Sequence, residues 1–186
     1  MRLSCLPVLF LACLGPAQAQ QFRLVDIKVS GNYKFPAAAV ISACGLRVGQ
    51  SFAAKDVEAA THRLAETGLF SSVDSRYDAR TVNRTAGYAL TWRVEEAPVS
   101  ASVRLDFPGI DEQELWKELK QANALMDPWI PSNTYVLEYY RKNIEAALRK
   151  RNPNQKVVGK NEADLVTGQF SVVFRSASLP KIGDSR

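Results

Sequence analysis

The sequence contains one histidine and three cysteines, so candidate reactive groups are few. His62 lies between Thr61 and Arg63 on a segment with helical periodicity. A surface or half-buried helix position is a simpler reading there than a general base or metal ligand. Cys44 stands among apolar residues before Gly45 and reads as a small buried hydrophobe rather than a reactive thiol. One histidine, one cysteine and scattered carboxylates lack the spacing of a zinc site. Neither a Gly-x-Ser-x-Gly elbow nor a phosphate loop occurs. Glu95 and Glu96 are adjacent on a strand pattern, so their side chains project to opposite faces and do not converge on one substrate. The residues therefore predict a non-enzymatic chain with no catalytic group, cofactor or metal.

The elements that would position any binding residues begin after an export signal. Arg2, the apolar stretch Leu3 to Leu14 and the small-x-small sequence Ala17-Gln18-Ala19 have the layout of a cleavable secretory signal over residues 1–19. That apolar core is too short to span a membrane. Lipidation at Cys13 is the alternative, and Phe10 and Leu11 suit a lipid-attachment box poorly. Cys5 and Cys13 leave with the signal, so Cys44 has no internal disulfide partner. The full chain carries a net charge of +5, of which only Arg2 is lost. An excess this small does not predict nucleic-acid binding. No later segment offers a membrane helix, and the length leaves no room for a membrane barrel.

Residues 20–97 read as strand, helix, helix, strand, strand. Val25, Ile27 and Val29 alternate with Asp26 and Lys28, and Gly31-Asn32 marks a turn. Phe35-Pro36 opens a short apolar helix, and Gly45 and Gly49 bracket a loop. Ser51 is the expected cap of a second helix with Val57, Ala60 and Leu64 on one face, ended by Gly68. Val73 to Asp78 has the charged alternation of an edge strand. After a polar turn over Asn83 to Gly87, Tyr88, Leu90, Trp92 and Val94 mark a central strand.

The same order returns over residues 98–177. Ala101, Val103, Leu105 and Phe107 alternate as a strand, and Asp111 with Glu114 forms a capping-box pattern. Leu115, Trp116 and Leu119 give the next helix its apolar face. A long helix capped near Ser132 or Asn133 follows, with Val136, Tyr140, Ile144 and Ala147 on its buried stripe and Asn152-Pro153 as its stop. Lys156 to Lys160 and Gly168 to Arg175 form a hairpin with Phe170, Val172 and Phe174 on one face. Residues 178–186 read as a polar tail. The predicted class is α+β, two tandem β-α-α-β-β modules, each a three-stranded mixed sheet with two helices on one face.

Four motifs in the first module add a family resemblance. Ile27-Lys28-Val29-Ser30-Gly31-Asn32, Gly45-Leu46-Arg47-Val48-Gly49, Leu64 to Val73 as Leu-x-x-x-Gly-x-Phe-x-x-Val, and Val94-Glu95-Glu96-Ala97-Pro98 follow in order. Together they resemble the POTRA (polypeptide-transport-associated) domain of the outer-membrane-assembly family. These are fold residues, with glycines at turns and Phe70 and Val73 expected under the helices. The second module matches in element order only, with Arg151-Asn152-Pro153 where the Gly-x-Phe signature would fall. Leu179-Pro180-Lys181-Ile182 looks like a linker into another module, so the expectation includes both a stand-alone chain and a shortened POTRA-plus-barrel protein.

The resemblance implies a periplasmic scaffold that binds outer-membrane polypeptides, or docks a barrel assembly protein, by adding an extended strand to a sheet edge. The candidate binding residues are Val73, Asp74, Ser75, Arg76, Tyr77 and Asp78 in the first module and Lys156, Val157, Val158 and Lys160 in the second. The competing reading is that charges such as Asp74, Arg76 and Lys156 protect these edges from aggregation. A structural adaptor for one partner of the division or secretion machinery is the alternative function. Trp129, Tyr135 and Tyr139 form a second candidate surface, with packing between modules as the plainer reading. Arg149 to Arg151 offer peripheral contact with anionic lipid of the outer membrane, or are a solvated helix end favoured by the helix dipole.

Overall fold

Residues 21–163 and 169–177 are described by a computed structural model. The expected signal segment, Cys13, Gly168 and the tail with its Leu179-Pro180-Lys181-Ile182 stretch lie outside them. In the first module β1 (Phe22–Ser30), α1 (Ala37–Cys44), β2 (Ser51–Phe52), α2 (Ala54–Ala65), β3 (Phe70–Val82) and β4 (Thr85–Glu96) follow in order. The second repeats the plan with β5 (Ala101–Asp106), α3 (Glu112–Ala122), β6 (Trp129–Ile130), α4 (Thr134–Leu148), β7 (Val157–Ala163) and β8 (Phe170–Ser176).

The class is α+β as expected, but each sheet has four strands rather than three. Their orders are β2-β1-β4-β3 and β6-β5-β8-β7, topologically the same. The extra strands, β2 and β6, are two residues long and too brief for alternation to reveal them. Each pairs antiparallel with the first strand of its module, while the central pairs β1–β4 and β5–β8 are parallel.

Several local expectations shift for identifiable reasons. A bulge between Leu24 and Asp26 changes the face on which β1 is buried, so Leu24 rather than Val25 enters the core. Ser51 belongs to β2, and Ala53 is the N-cap of α2, with its N–H donating to Asp56 Oδ2 at 2.8 Å. The hairpin turn contracts to Asn83 and Arg84, both at positive φ, which suits a right-twisted two-residue hairpin. Thr85 to Gly87 therefore belong to β4. Phe170 overhangs the first residue of the β5–β8 ladder, Ser171, and is exposed instead of entering the core with Val172 and Phe174.

Other expectations hold. Cys44 is fully buried and free, and His62 is exposed beside Glu66, Nδ1 to Oε2 3.2 Å. Asp111 accepts from the Glu114 N–H at 2.8 Å, and Asn133 accepts from the Val136 N–H at 2.9 Å. Val136, Tyr140 and Ile144 are buried on α4 as expected, but Leu148 rather than the half-buried Ala147 completes the stripe. Arg151 pairs with Glu118 at 2.7 Å, so one cation of the basic run is engaged within the second module.

Two buried carboxylates carry structural weight that alternation alone misses. Glu96, at the end of β4, accepts from the N–H groups of Tyr33, Lys34 and Phe35 at 2.9–3.1 Å, just before α1. Its charge also sits favourably near the start of that helix, which has no side-chain cap of its own. Glu145 accepts from Arg141 Nη1 at 2.8 Å and from the Val157 N–H at 3.0 Å, tying α4 to the start of β7. Burial pushes the Glu145 carboxyl up, but the Val157 N–H and the Arg141 guanidinium together hold it below the usual carboxylate range.

The modules touch through specific polar contacts. Lys34 Nζ lies 2.8 Å from Asp127 Oδ1 and donates to the Trp129 carbonyl. Asn133 Nδ2 donates to the Gly68 carbonyl at 2.8 Å. Gly68 has φ +68°, and a Cβ there would lie 2.4 Å from the Val136 nitrogen. The signature glycine thus permits both the turn after α2 and the close approach of α4.

Candidate polypeptide-binding edges

Edge position follows from strand order: β3 lies outermost in the first sheet and β7 in the second. All six first-module candidates, Val73 to Asp78, lie on β3. In the second module Val157, Val158 and Lys160 lie on β7, while Lys156 falls one residue before it. The Lys156 carbonyl accepts from the Ala177 N–H at 2.9 Å, so its backbone already closes the β7–β8 end. The Val157 N–H is committed to Glu145.

The two edges differ in extent and surroundings. β3 runs 13 residues against 7 for β7, because the two-residue turn lets the hairpin continue past Asp78 through Ala79, Arg80, Thr81 and Val82. Those four were absent from the sequence-based candidates. Their signal was the Asn83-Arg84 pair, which can occupy left-handed backbone in a tight turn but lacks the usual glycine.

Cross-strand register assigns each β3 side chain to a face. Val73, Ser75 and Tyr77 pair with Val94, Trp92 and Leu90, whose side chains are buried beneath the helices. Ser75 Oγ lies 3.4 Å from Thr61 Oγ1 of α2, which fixes this as the helix side. Asp74, Arg76 and Asp78 occupy the open face, where Arg76 Nε meets Asp78 Oδ1 at 3.2 Å and Arg80 reaches Asp26 at 3.6 Å. The charges alternate in sign along this face, consistent with both edge protection and polar contact to an incoming strand.

The aromatic set does not gather into one patch. Trp129 and Tyr135 are exposed, but Tyr139 is half-buried, and its hydroxyl accepts from Asn123 Nδ2 at 2.6 Å. Burial raises the Tyr139 phenol above its ordinary range. Tyr135 and Tyr139 line a cleft of about 930 Å³ between the modules, opposite Ala38, Ala39 and Ser42 of α1; Trp129 is not part of its lining. Among the described residues no group of three or more His, Cys, Asp or Glu side chains could hold a metal ion, and no helix is long and apolar enough to cross a membrane.

Among solved structures, the chain is similar to the N-terminal domain of Omp85 from Thermosynechococcus elongatus, at 19% identity and TM-score 0.40, covering 84% of this chain and 63% of that one. It is also similar to POTRA1-3 of Omp85 from Anabaena, at 16% identity and TM-score 0.39, with 85% and 62% covered. For BamA POTRA3-5 from Haemophilus influenzae the values are 14%, 0.39, 88% and 69%. The chain spans about three fifths of the length of the two Omp85 fragments. No curated protein matches it. The POTRA family model, described as a surface antigen variable number repeat, matches residues 22–97, the span bearing the β3 edge and the four sequence motifs up to Ala97. The POTRA match accordingly covers the first module, residues 22–97.

Proposed function

We propose that the chain is a non-enzymatic, polypeptide-binding scaffold of the bacterial envelope. It acts in the periplasm near the outer membrane, assisting the assembly or translocation of outer-membrane polypeptides through strand addition at β3. One observation carries this reading: β3 is a 13-residue outer strand that, among the described residues, is paired on one side only, to β4. Its backbone donors and acceptors on the other side suit an extended chain, and main-chain pairing makes affinity largely independent of client sequence. The β7 edge is a secondary site, starting at Val158 because Lys156 and Val157 are already engaged.

The test uses proline on β3. Of two neighbouring residues in an edge strand, one directs its N–H toward the paired strand and the other outward. Ser75→Pro and Arg76→Pro are therefore made together, and the variant that keeps wild-type circular dichroism is tested for crosslinking to outer-membrane polypeptides in envelopes. Loss of crosslinking is expected in that folded variant. Wild-type crosslinking in it would overturn the edge mechanism.

A further inference from the structure

Tyr77 is the one large hydrophobic residue of β3 that stands exposed, at 37%. Its ring is held by others. Phe22, Phe52, Tyr77 and Tyr88 contact one another in all six pairings, with centroids 4.5–6.5 Å apart. Phe52 is fully buried, and Phe22 and Tyr88 are half-buried. These four rings come from all four strands of the first sheet, so the fold fixes where the Tyr77 ring stands at the edge.

That placement distinguishes one register position from its neighbours. Two residues earlier on the same side, Ser75 meets Thr61 of α2, so a side chain facing Ser75 finds hydroxyl groups. At Tyr77 it finds an aromatic face already immobilised by three rings. An aromatic partner adds ring contact beyond simple area burial, and a rigid ring loses little freedom on contact. On the open face Asp74, Arg76, Asp78 and Arg80 favour polar side chains at the intervening positions of an added strand.

We propose that Tyr77 is a specificity-determining residue, selecting an aromatic side chain at the position facing it in an extended polypeptide added to β3. The inference rests on the β3-edge reading and adds a side-chain preference to its backbone pairing. The partner is an unfolded chain with alternating polar and apolar residues and an aromatic on the helix side.

The full exported chain, isotope-labelled, is titrated with a lysine-flanked 12-residue peptide of alternating valine and threonine carrying one central phenylalanine. A second peptide carries leucine at that position. Both are expected to shift the amide resonances of residues 73–82, with the phenylalanine peptide bound roughly five-fold more tightly. Tyr77→Phe should keep the preference, and Tyr77→Ser should reduce it to within about two-fold. Equal binding of the two peptides to the wild type, or an undiminished preference in Tyr77→Ser, overturns the inference while leaving strand addition standing. If neither peptide shifts β3, both readings are overturned. The wild-type comparison is decisive even if a variant does not fold.

Discussion

Each module buries one glutamate, and the two glutamates are used differently. Glu96 closes the first module across a long stretch of chain, gathering three backbone N–H groups from the turn between β1 and α1. Glu145 closes the second over a short one, sharing its carboxylate between Arg141, one helical turn away, and the Val157 N–H. The first helix of each module follows the same division. α1 has no side-chain cap and leans on the distant Glu96, whereas α3 is capped locally by Asp111; α2 and α4 both start on local contacts, through Asp56 and Asn133. A module built on distant closures needs particular residues at particular positions, while one built on local caps accepts any sequence that supplies them. This is a physical reason for the family motifs, Val94-Glu95-Glu96-Ala97-Pro98 among them, to be concentrated in the first module.

The sharpest break of that comparison is Glu96→Ala. It leaves the N–H groups of Tyr33, Lys34 and Phe35 without their acceptor and opens space at a position only 7% exposed. Hydrogen bonds to a charged group contribute about 1.5–3 kcal/mol, and orphaned donors add desolvation cost, so a loss of about 3–5 kcal/mol is expected in urea unfolding. Amide exchange should localise that loss to α1 and β1, with α3 and α4 protected as in the wild type. A uniform loss over both modules would mean that the two sheets unfold as one unit.

The same contrast explains what was legible in advance. Alternation found the long strands and the helical stripes, because a buried face imposes a period on whatever occupies it. Asp111 and Asn133 were readable because a cap lies within three residues of the N–H it serves. The partners of Glu96 lie some 60 residues away, and no local pattern carries that distance. Alternation likewise says nothing about a bulge, which is why Val25 was expected inside and Leu24 is found there. For the candidate edge, charges at Asp74, Arg76 and Asp78 located its centre. Its extension to Val82 depended on the two-residue turn at Asn83-Arg84, and the early limit at Val157 on a hydrogen bond to α4.

A smaller effect is expected where the modules meet. Gly68→Ala combines a left-handed φ with a Cβ 2.4 Å from the Val136 nitrogen, whereas Gly49, at φ +93°, has nothing within 4 Å of its added Cβ. Gly49→Ala therefore isolates the backbone strain, about 1–2 kcal/mol. Gly68→Ala should cost about 1–2 kcal/mol more, since α4 must retreat and the Asn133–Gly68 bond lengthen. Small-angle scattering and thermal unfolding of both variants separate the terms. Equal losses, with no change in the scattering of Gly68→Ala, would show that the junction yields freely and that its glycine serves the turn alone.

The smallest effect is a pH dependence confined to the second module. The Glu145 carboxyl is held below its ordinary range in the folded chain despite the upward push of burial. A group whose folded pKa is depressed contributes stability that is present above its unfolded pKa and is lost as pH falls through the folded value. Module 2 stability should therefore decline as pH falls below the range in which an unfolded glutamate protonates. Glu145→Gln removes that increment at neutral pH and flattens the acid limb of the unfolding curve. Arg141→Met should produce a partial version, because the Val157 N–H still stabilises the charged form. Acid sensitivity that persists undiminished in Glu145→Gln would assign the titration to other carboxylates and reduce Glu145 to a hydrogen-bond acceptor between α4 and β7.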